Sequence, residues 1–246
     1  MRFILLGTGS GLPEQGSHLS SLYVNSEGKH LLFDCGEGTS WQLLRHGLAG
    51  DVLDAIFISH YHPDHVSGLF MVLQMLYLQK RQKPLQLFLP ERPGGMMETF
   101  QFFYTFPQRF PFPLQILDCR EAELHHDDVT IALTDHLRGY EEFIAASQLA
   151  NQMNSYAFRI SSPAGDLAYT SDIATTDCIQ LFLRDCHTVI VDALHPEPAQ
   201  IFKLSYAGIT RILLTHGISE SLQAQLAENP QELMQPALED NIYSIP

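Results

Sequence analysis

The sequence predicts an α/β protein in which β-strands and helices alternate in layers. Six short apolar runs, each about as long as a strand, are closed by a histidine or an aspartate. Segments with the apolar spacing of amphipathic helices lie between these runs. The chain has 246 residues, 45% of them hydrophobic, which is enough for one large core. We therefore expect a single domain over residues 1–246.

The residues that close the strands are the most informative feature of the sequence. The opening stretch "MRFILLGTGSG" predicts a first strand that ends in a glycine turn at residues 7–11. The later runs and their closing residues are HLLFD at Asp34, AIFISHYH at His60 and His62, VTIALTDH at His136, DLAYTSD at Asp172, TVIVDALH near Asp192 and His195, and RILLTH at His216. Functional side chains are common on loops at strand ends. We expect these six runs to carry a polar site on one rim of a sheet sandwich.

Three helices are predicted between the strands. After Pro63, apolar residues recur at i, i+3, i+4 and i+7 from Val66 to Tyr77, the spacing of an amphipathic helix. The segments "TDCIQLFLRDC" (176–186) and "SESLQAQLAENP" (219–230) predict two more, the second ended by Asn229-Pro230.

Composition excludes several classes of protein. No apolar run approaches the roughly 18–20 residues of a membrane-spanning helix, and the apolar start is too short for a secretory leader. The four cysteines are scattered without a Cys-x-x-Cys pair, which suits a reducing compartment, so we expect a cytoplasmic protein. With 14 Lys+Arg against 28 Asp+Glu, the formal net charge is −14. That charge disfavours a protein that grips long or structured nucleic acid through its phosphates.

The stretch "SHYHPDHVSG" (59–68) concentrates potential metal ligands. In an extended segment His60 and His62 point the same way, because side chains repeat every two residues. The following turn lets Asp64 and His65 face the same space. One ion can take the first pair and a second ion the other pair.

Further ligands must come from distant strand ends, and His136, Asp172 and His216 stand at suitable places, with Asp172 able to bridge two ions. Imidazole with carboxylate suits zinc, manganese, iron or cobalt better than calcium or magnesium.

The motif His60-x-His62-x-Asp64-His65 resembles the signature of the metallo-β-lactamase superfamily, and Asp34, His136, Asp172 and His216 follow that family's order. The resemblance covers nearly the whole chain. It implies a four-layer αββα sandwich of two mixed β-sheets flanked by helices, with two divalent metal ions, zinc or manganese, at one edge. It also implies that His60, His62 and His136 hold one ion, that Asp64, His65 and His216 hold the other, and that Asp172 bridges them. Asp34 would orient a ligand histidine through a hydrogen bond.

Within that superfamily, "TGSGLP", "SYAFRI", "AYTSDI" and "RILLTHGIS" are similar to the phosphodiesterase branch, to both RNase Z and the cyclic phosphodiesterase of the carbon–phosphorus lyase pathway. The stretch "TVIVDALHPE" resembles the latter, and Val191 stands where RNase Z has the histidine of His-Glu-Ala-Thr. Only "SSPAGDL" separates "SYAFRI" from "AYTSD", where RNase Z enzymes insert a long tRNA-gripping arm. The lyase-pathway enzyme in turn has a cysteine-bound zinc near its amino end, and "GLPEQGSHLSS" has no cysteine.

These features predict a dinuclear metal-dependent phosphodiesterase acting on a small or flexible phosphodiester, such as a cyclic nucleotide or short oligonucleotide. Metal ions lower the pKa of bound water and polarise a phosphoryl oxygen. His195 is the candidate acid for the leaving alkoxide, and Asp64 can accept a proton while binding metal. The alternatives are RNase Z-type processing of tRNA 3′ ends, hydrolysis of a thioester or lactone, and a metal-bound ligand sensor without turnover.

Three segments have open roles. The phenylalanine-rich stretch 97–113 predicts core packing, a wall over the site or the face of a homodimer. Residues 139–153 predict a helical insertion after His136 that can act as a lid. The glycine turn lacks the Gly-Lys-Ser/Thr of a nucleotide phosphate loop, and it leaves His18 and Ser20 as candidate substrate contacts.

Overall fold

The computed structural model describes residues 1–246 and divides into two compact units. Unit 1 comprises Met1–Glu121 with Glu239–Ser244, and unit 2 comprises Ala122–Leu238 with Ile245–Pro246. The expectation of a single domain stays a prediction. Each unit holds one mixed β-sheet with helices, so the predicted α/β class, with two mixed sheets flanked by helices, is confirmed.

Unit 1 contains a seven-stranded sheet in the order β13-β1-β2-β3-β4-β5-β6. Its strands are β1 (Arg2–Gly7), β2 (Ser21–Ser26), β3 (Lys29–Phe33), β4 (Ala55–Phe57), β5 (Leu85–Leu89), β6 (Leu114–Asp118) and β13 (Ile242–Ser244). The pairs from β13 to β3 are antiparallel, and those from β3 to β6 are parallel. Its helices are α1 (Thr39–Arg45), α2 (Pro63–Val66), α3 (Leu69–Leu78) and α4 (Pro93–Phe102), with 3₁₀ turns at Pro107–Arg109 and Cys119–Glu121.

Unit 2 contains a six-stranded sheet in the order β12-β11-β10-β9-β8-β7. Its strands are β7 (Val129–Leu133), β8 (Tyr156–Ile160), β9 (Leu167–Tyr169), β10 (Thr188–Ala193), β11 (Arg211–Ile218) and β12 (Met234–Pro236). The pairs from β7 to β9 are antiparallel, and those from β9 to β12 are parallel. Its helices are α5 (Ala122–His125), α6 (Glu141–Ala146), α7 (Gln180–Leu183), α8 (Pro198–Lys203) and α9 (Glu220–Glu228), with 3₁₀ turns at His136–Tyr140, Asp177–Ile179 and Leu204–Tyr206.

Apolar packing of helices on each sheet fixes where the strands end. In unit 1, Leu73 and Leu76 of α3 are fully buried in one cluster with Ile56 of β4 and Leu87 of β5. In unit 2, Val191 of β10 and Leu214 of β11 pack in one cluster with Ile201 of α8 and Leu222 of α9. Full burial of such a side chain contributes roughly 1.5–3 kcal/mol. The parallel strands therefore carry their carboxyl-terminal loops on a rigid support.

The helix predicted after Pro63 is two helices, which corrects that expectation. Helix α2 ends at Val66 and α3 begins at Leu69. Between them the Gly68 N–H donates to the Cys35 carbonyl at 2.8 Å, and a Cβ at Gly68 would lie 2.1 Å from the Gly36 carbonyl oxygen. This close approach separates the turn that carries the candidate ligands Asp64 and His65 (the ligand turn) from the longer helix α3.

The other predicted helices differ in how well they form. Helix α9 begins after Ser219, whose side chain accepts the Leu222 N–H, and it ends before Asn229, as predicted. Segment 176–186 forms only a 3₁₀ turn and the four-residue α7. The expected helix within 139–153 is α6, and its Phe143 is 64% exposed. A lid function for α6 stays a prediction.

The stretch 97–113 is partly core and partly surface. Phe100 and Phe112 are buried, whereas Phe102, Phe103 and Tyr104 are exposed. Core packing is therefore shown for two of its rings, and a homodimer face or a wall over the site stays a prediction for the exposed ones.

A bilayer crossing takes about twenty apolar residues, and no helix here is long and apolar enough for one.

Candidate functional site

Unit 1 brings its four candidate ligands together at the end of β4. The backbone stays extended to His62 (φ −65°, ψ 142°), and Pro63 then opens α2. The ring centroids of His60 and His62 lie 4.7 Å apart, as expected for side chains two residues apart on one side of an extended segment. The ring centroids of His60 and His65 are 4.2 Å apart. Because Asp64 and His65 sit on the first turn of α2, four polar groups face one small region.

A buried carboxylate orients one of these histidines. Asp34 follows β3 with a left-handed φ of 58° and is fully buried. Its Oδ1 accepts the Ser59 N–H at 2.8 Å, and its Oδ2 accepts the Nδ1–H of His65 at 2.8 Å. This tautomer leaves Nε2 of His65 with the lone pair that a metal ion requires.

The donor chemistry of this cluster fits a cation. Nε2 of His65 lies 3.5 Å from Oδ2 of Asp64. A lone pair and a carboxylate oxygen repel each other unless a positive charge lies between them. Both side chains are buried, so water screens that repulsion poorly. A divalent metal ion satisfies both groups.

Unit 2 forms a second cluster around Asp172. Nε2 of His136 lies 3.5 Å, and Nε2 of His216 lies 3.1 Å, from the same carboxylate oxygen, Oδ2 of Asp172. Asp172 and His216 are almost fully buried. Two imidazole nitrogens that converge on one carboxylate oxygen suit zinc or manganese.

Backbone irregularities aim these side chains. His216 lies within β11 rather than after it, with a φ of 63°, and Gly217 follows with a φ of 78°. The β10–β11 register shifts at this point, from Asp192 opposite Thr215 to Ala193 opposite Ile218. Such bulges re-aim a side chain. Ser171, directly before Asp172, also has a left-handed φ of 51°, an uncommon backbone conformation for a residue other than glycine.

Asp135, which the sequence analysis did not single out, ties the loop after β9 to the loop after β7. Its side chain accepts the Ala174 N–H at 2.9 Å and the Thr175 N–H and hydroxyl at 3.1 Å and 2.6 Å. Burial alone would raise the pKa of Asp135, but hydrogen bonds from Thr175, Cys178 and Ala174 outweigh it and hold the pKa below its ordinary value. This anchor positions the neighbouring His136 against Asp172.

His195 lies among the candidate ligands of unit 2 and is held by Asp192. Its ring centroid is 5.1 Å from that of His136 and 5.3 Å from that of His216. Its Nδ1–H donates to Oδ2 of the fully buried Asp192 at 2.8 Å. The same carboxylate accepts the Leu194 N–H at 2.9 Å and the Ile173 N–H at 3.1 Å.

From the sequence, Asp192 is expected only near the end of a strand, and its bond to His195 is not predicted. The pattern that could have found it is an aspartate three residues before a histidine at a strand end. The ligand atoms of Asp172, Asp192 and His195 all lie within 4.8 Å of one another.

Comparisons with known proteins find several similar sequences. A family model described as anti-Pycsar protein Apyc1 matches residues 1–98. Ribonuclease Z of Salinibacter ruber is 41% identical over 119 residues, which is 48% of this chain and 36% of the relative. The chain spans about a third of the length of the curated relatives that it matches.

Solved structures match over the whole chain. Human tRNase Z, short form, has a TM-score of 0.73 at 21% identity and covers 100% of both chains. The metallo-β-lactamase fold protein YhfI of Bacillus subtilis has a TM-score of 0.74 at 19% identity and covers 98% of each chain. A diphosphatase from the PhnP family has a TM-score of 0.69 at 18% identity, covering 99% of this chain and 97% of that one. At these identities the likeness shows the fold.

Proposed function

We propose that this chain, which has the metallo-β-lactamase fold, is a metal-dependent hydrolase that cleaves small or flexible phosphodiesters. The observation that carries the proposal is the convergence of Nε2 of His136 and Nε2 of His216 on one oxygen of Asp172. Imidazole nitrogens gathered around a carboxylate oxygen are a donor set that a divalent transition-metal ion takes. The oriented His195 beside it adds a group suited to proton transfer.

In this proposal seven side chains hold two divalent ions, zinc or manganese. His60, His62 and His136 would hold the first ion, Asp64, His65 and His216 would hold the second, and Asp172 would serve both.

When bound, the ions would lower the pKa of a water molecule and draw charge from a phosphoryl oxygen. Asp64 would take up the proton of the attacking water. His195 donates a proton from Nε2 to the leaving alkoxide, because Asp192 accepts the Nδ1–H and so fixes which nitrogen acts. Asp34 holds His65 with Nε2 toward Asp64.

Small substrates are favoured over long nucleic acid. The net charge of −14 leaves few cations to neutralise a phosphate backbone. A ribonuclease and a diphosphatase are among the similar proteins, and by their names both break bonds to phosphorus.

RNase Z-type processing of RNA is the second candidate, because the Ribonuclease Z of Salinibacter ruber is 41% identical over 119 residues. One feature counts against it. The loop between Ile160 of β8 and Leu167 of β9 is short, whereas RNase Z enzymes are expected to carry a long tRNA-gripping arm at this place.

A substrate panel tests the proposal. Protein stripped with a chelator and reloaded with Zn²⁺ or Mn²⁺ would be assayed on bis(p-nitrophenyl) phosphate, cyclic nucleotides, dinucleotides and pre-tRNA. We expect cleavage of the small diesters and no turnover without metal. Cleavage of pre-tRNA alone would establish the second candidate, and a loaded protein inert on every phosphodiester would overturn both.

A further inference from the structure

Unit 1 contains a cavity that the proposed chemistry does not use. Its volume is about 660 Å³, within the range of small-molecule sites. Three stretches contribute its lining: the loop around residues 13–19, the start of α1 around 37–41, and residues 67–71 after the ligand turn.

The most prominent lining residue is Trp41. Its side chain is 74% exposed on α1, whereas Thr39, Gln42 and Leu43 of the same helix are buried. Helical spacing therefore directs Trp41 away from the core. Met71 of α3 lines the same cavity and is 53% exposed. A large indole face and a thioether lie open to a flat, apolar ligand.

His18 lines the cavity and is fixed from behind by Glu239. Oε2 of Glu239 accepts the Nδ1–H of His18 at 2.8 Å, and Oε1 accepts the His18 backbone N–H at 2.8 Å and the Ser17 hydroxyl at 3.1 Å. The ring also lies against Gly38, where a Cβ would come within 2.3 Å of Cδ2 of His18. Because Glu239 occupies Nδ1, Nε2 is the ring atom left to bond a ligand.

The charge of the lining indicates which part of a substrate it accepts. Glu14 and Glu37 line the cavity, and no lysine or arginine does. Carboxylates repel a phosphate and accept hydrogen bonds from N–H groups. The cavity therefore suits an uncharged heterocycle that carries N–H donors.

The cavity is built on the same backbone as the ligand turn. The Cys35 N–H donates to the His65 carbonyl at 2.7 Å, and the Leu19 N–H donates to the Glu37 carbonyl at 3.2 Å. On the loop before His18, a Cβ at Gly11 would lie 3.5 Å from Oδ2 of Asp64. A phosphodiester held near Asp64 thus has this cavity beside it for its organic substituent.

We infer that the cavity binds the nucleobase of a nucleotide phosphodiester, stacked on the indole of Trp41 and hydrogen-bonded by His18. This rests on the proposed function, because it assigns the substrate class of that site. It makes His18 and Trp41 substrate-binding residues and Glu239 a positioning residue that acts through His18.

Fluorescence gives a direct binding test, because Trp41 is the chain's single tryptophan. Thymidine, titrated into the metal-loaded protein, is expected to quench its emission by stacking. Deoxyribose 5-phosphate has no base, so it is expected to leave the emission unchanged. His18→Ala should weaken thymidine binding. Absence of quenching by thymidine, or equal quenching by both probes, overturns the inference whether or not the protein hydrolyses any diester.

Kinetics on two esters with the same leaving group separate the inference from the proposed function. The p-nitrophenyl ester of thymidine 5′-monophosphate carries a base, and methyl p-nitrophenyl phosphate does not. Trp41→Leu should lower the kcat/KM of the thymidine ester relative to that of the methyl ester roughly tenfold. The control Leu44→Ala, on the same helix and 48% exposed but outside the cavity, should leave that ratio unchanged.

The outcomes differ for the two ideas. If neither ester is cleaved and the other phosphodiesters of the panel are not cleaved either, the proposed function fails, and the fluorescence titration still decides the inference. If both are cleaved with the same ratio in Trp41→Leu and wild type, the inference alone fails. Loss of an oligomer in Trp41→Leu, seen by light scattering without any thymidine effect, would show an interface between copies and overturn the inference.

Discussion

Two buried carboxylates, Asp34 and Asp192, each accept the Nδ1–H of one histidine and leave Nε2 as the atom that acts. For His65 that atom faces Asp64, as a metal ligand requires. His195 is more exposed, at 36% of its side chain, as a group that meets substrate must be. The same device therefore suits the two proposed roles, metal ligand for His65 and acid for His195.

His195→Gln tests the proposed acid. Metal content should stay as in the wild type, because the seven proposed ligands remain. Hydrolysis of a diester with an alkyl leaving group should slow by roughly 10²–10⁴-fold, since such an alkoxide needs a proton to leave. A p-nitrophenyl ester should slow much less. The measurement is kcat for both esters, with metal content from elemental analysis.

Equal slowing of both esters, or a parallel loss of metal, would argue against the acid role of His195. Asp192→Asn is the companion variant. Because its amide presents one oxygen instead of two, it should shift kcat in the same direction by a smaller factor, with its melting temperature measured alongside.

At the scale of elements, the break between α2 and α3 positions the ligand turn. The Gly68 N–H reaches the Cys35 carbonyl, and the Cys35 N–H reaches the His65 carbonyl, so three backbone segments meet without side chains between them. Gly36 takes part in the same contact, since a Cβ there would lie 2.3 Å from the Asp64 carbonyl oxygen. Both positions need glycine because a Cβ would collide with a neighbouring backbone carbonyl, and not because the backbone has a left-handed φ.

Gly68→Ala should therefore destabilise the protein. The new Cβ would lie 2.1 Å from the Gly36 carbonyl oxygen, and the backbone must shift to admit it. Overpacking of this kind costs about 1–3 kcal/mol, which lowers the melting temperature by several degrees. Thermal unfolding monitored by circular dichroism measures the change.

Gly94→Ala is the matched control, because Gly94 lies in α4 with open space around the added Cβ. It should be neutral or slightly stabilising, since alanine favours a helix over glycine by roughly 1 kcal/mol. Equal melting temperatures for the two variants would contradict the account of the break.

For the whole molecule, bound metal should raise stability. A ligand that binds the native chain alone stabilises it by about 2.7 kcal/mol at a hundred times its Kd, or roughly 5–10 °C in a protein of this size. The stripped protein should gain this shift with Zn²⁺ or Mn²⁺ in differential scanning fluorimetry.

Asp172→Asn should lose most of that shift, because it removes the charge of the proposed bridging ligand. The control Asp128→Asn, in the same unit but before β7, should keep it. An identical shift in both variants would place the metal elsewhere on the chain.

The sequence was enough to predict the α/β class, most strand ends and helix α9. It succeeded because alternating apolar runs and an N-cap serine are local patterns with one stable outcome each. It failed where a contact far along the chain intervened. The helix after Pro63 breaks at Gly68 because of Cys35. Segment 176–186 forms only a 3₁₀ turn and the short α7, and Asp135 anchors the loop before it.

What the sequence alone determined is the inventory of the candidate site: which imidazoles and carboxylates exist, and that most of them stand at or near strand ends. Asp192 and His195 are neighbours in the chain, so their proximity can be deduced from residue order. Only the tertiary structure decided that Asp34 fixes the nitrogen that His65 presents, and that Trp41 and His18 line one cavity. Those features depend on hydrogen bonds and packing between residues remote in sequence, which no local pattern encodes.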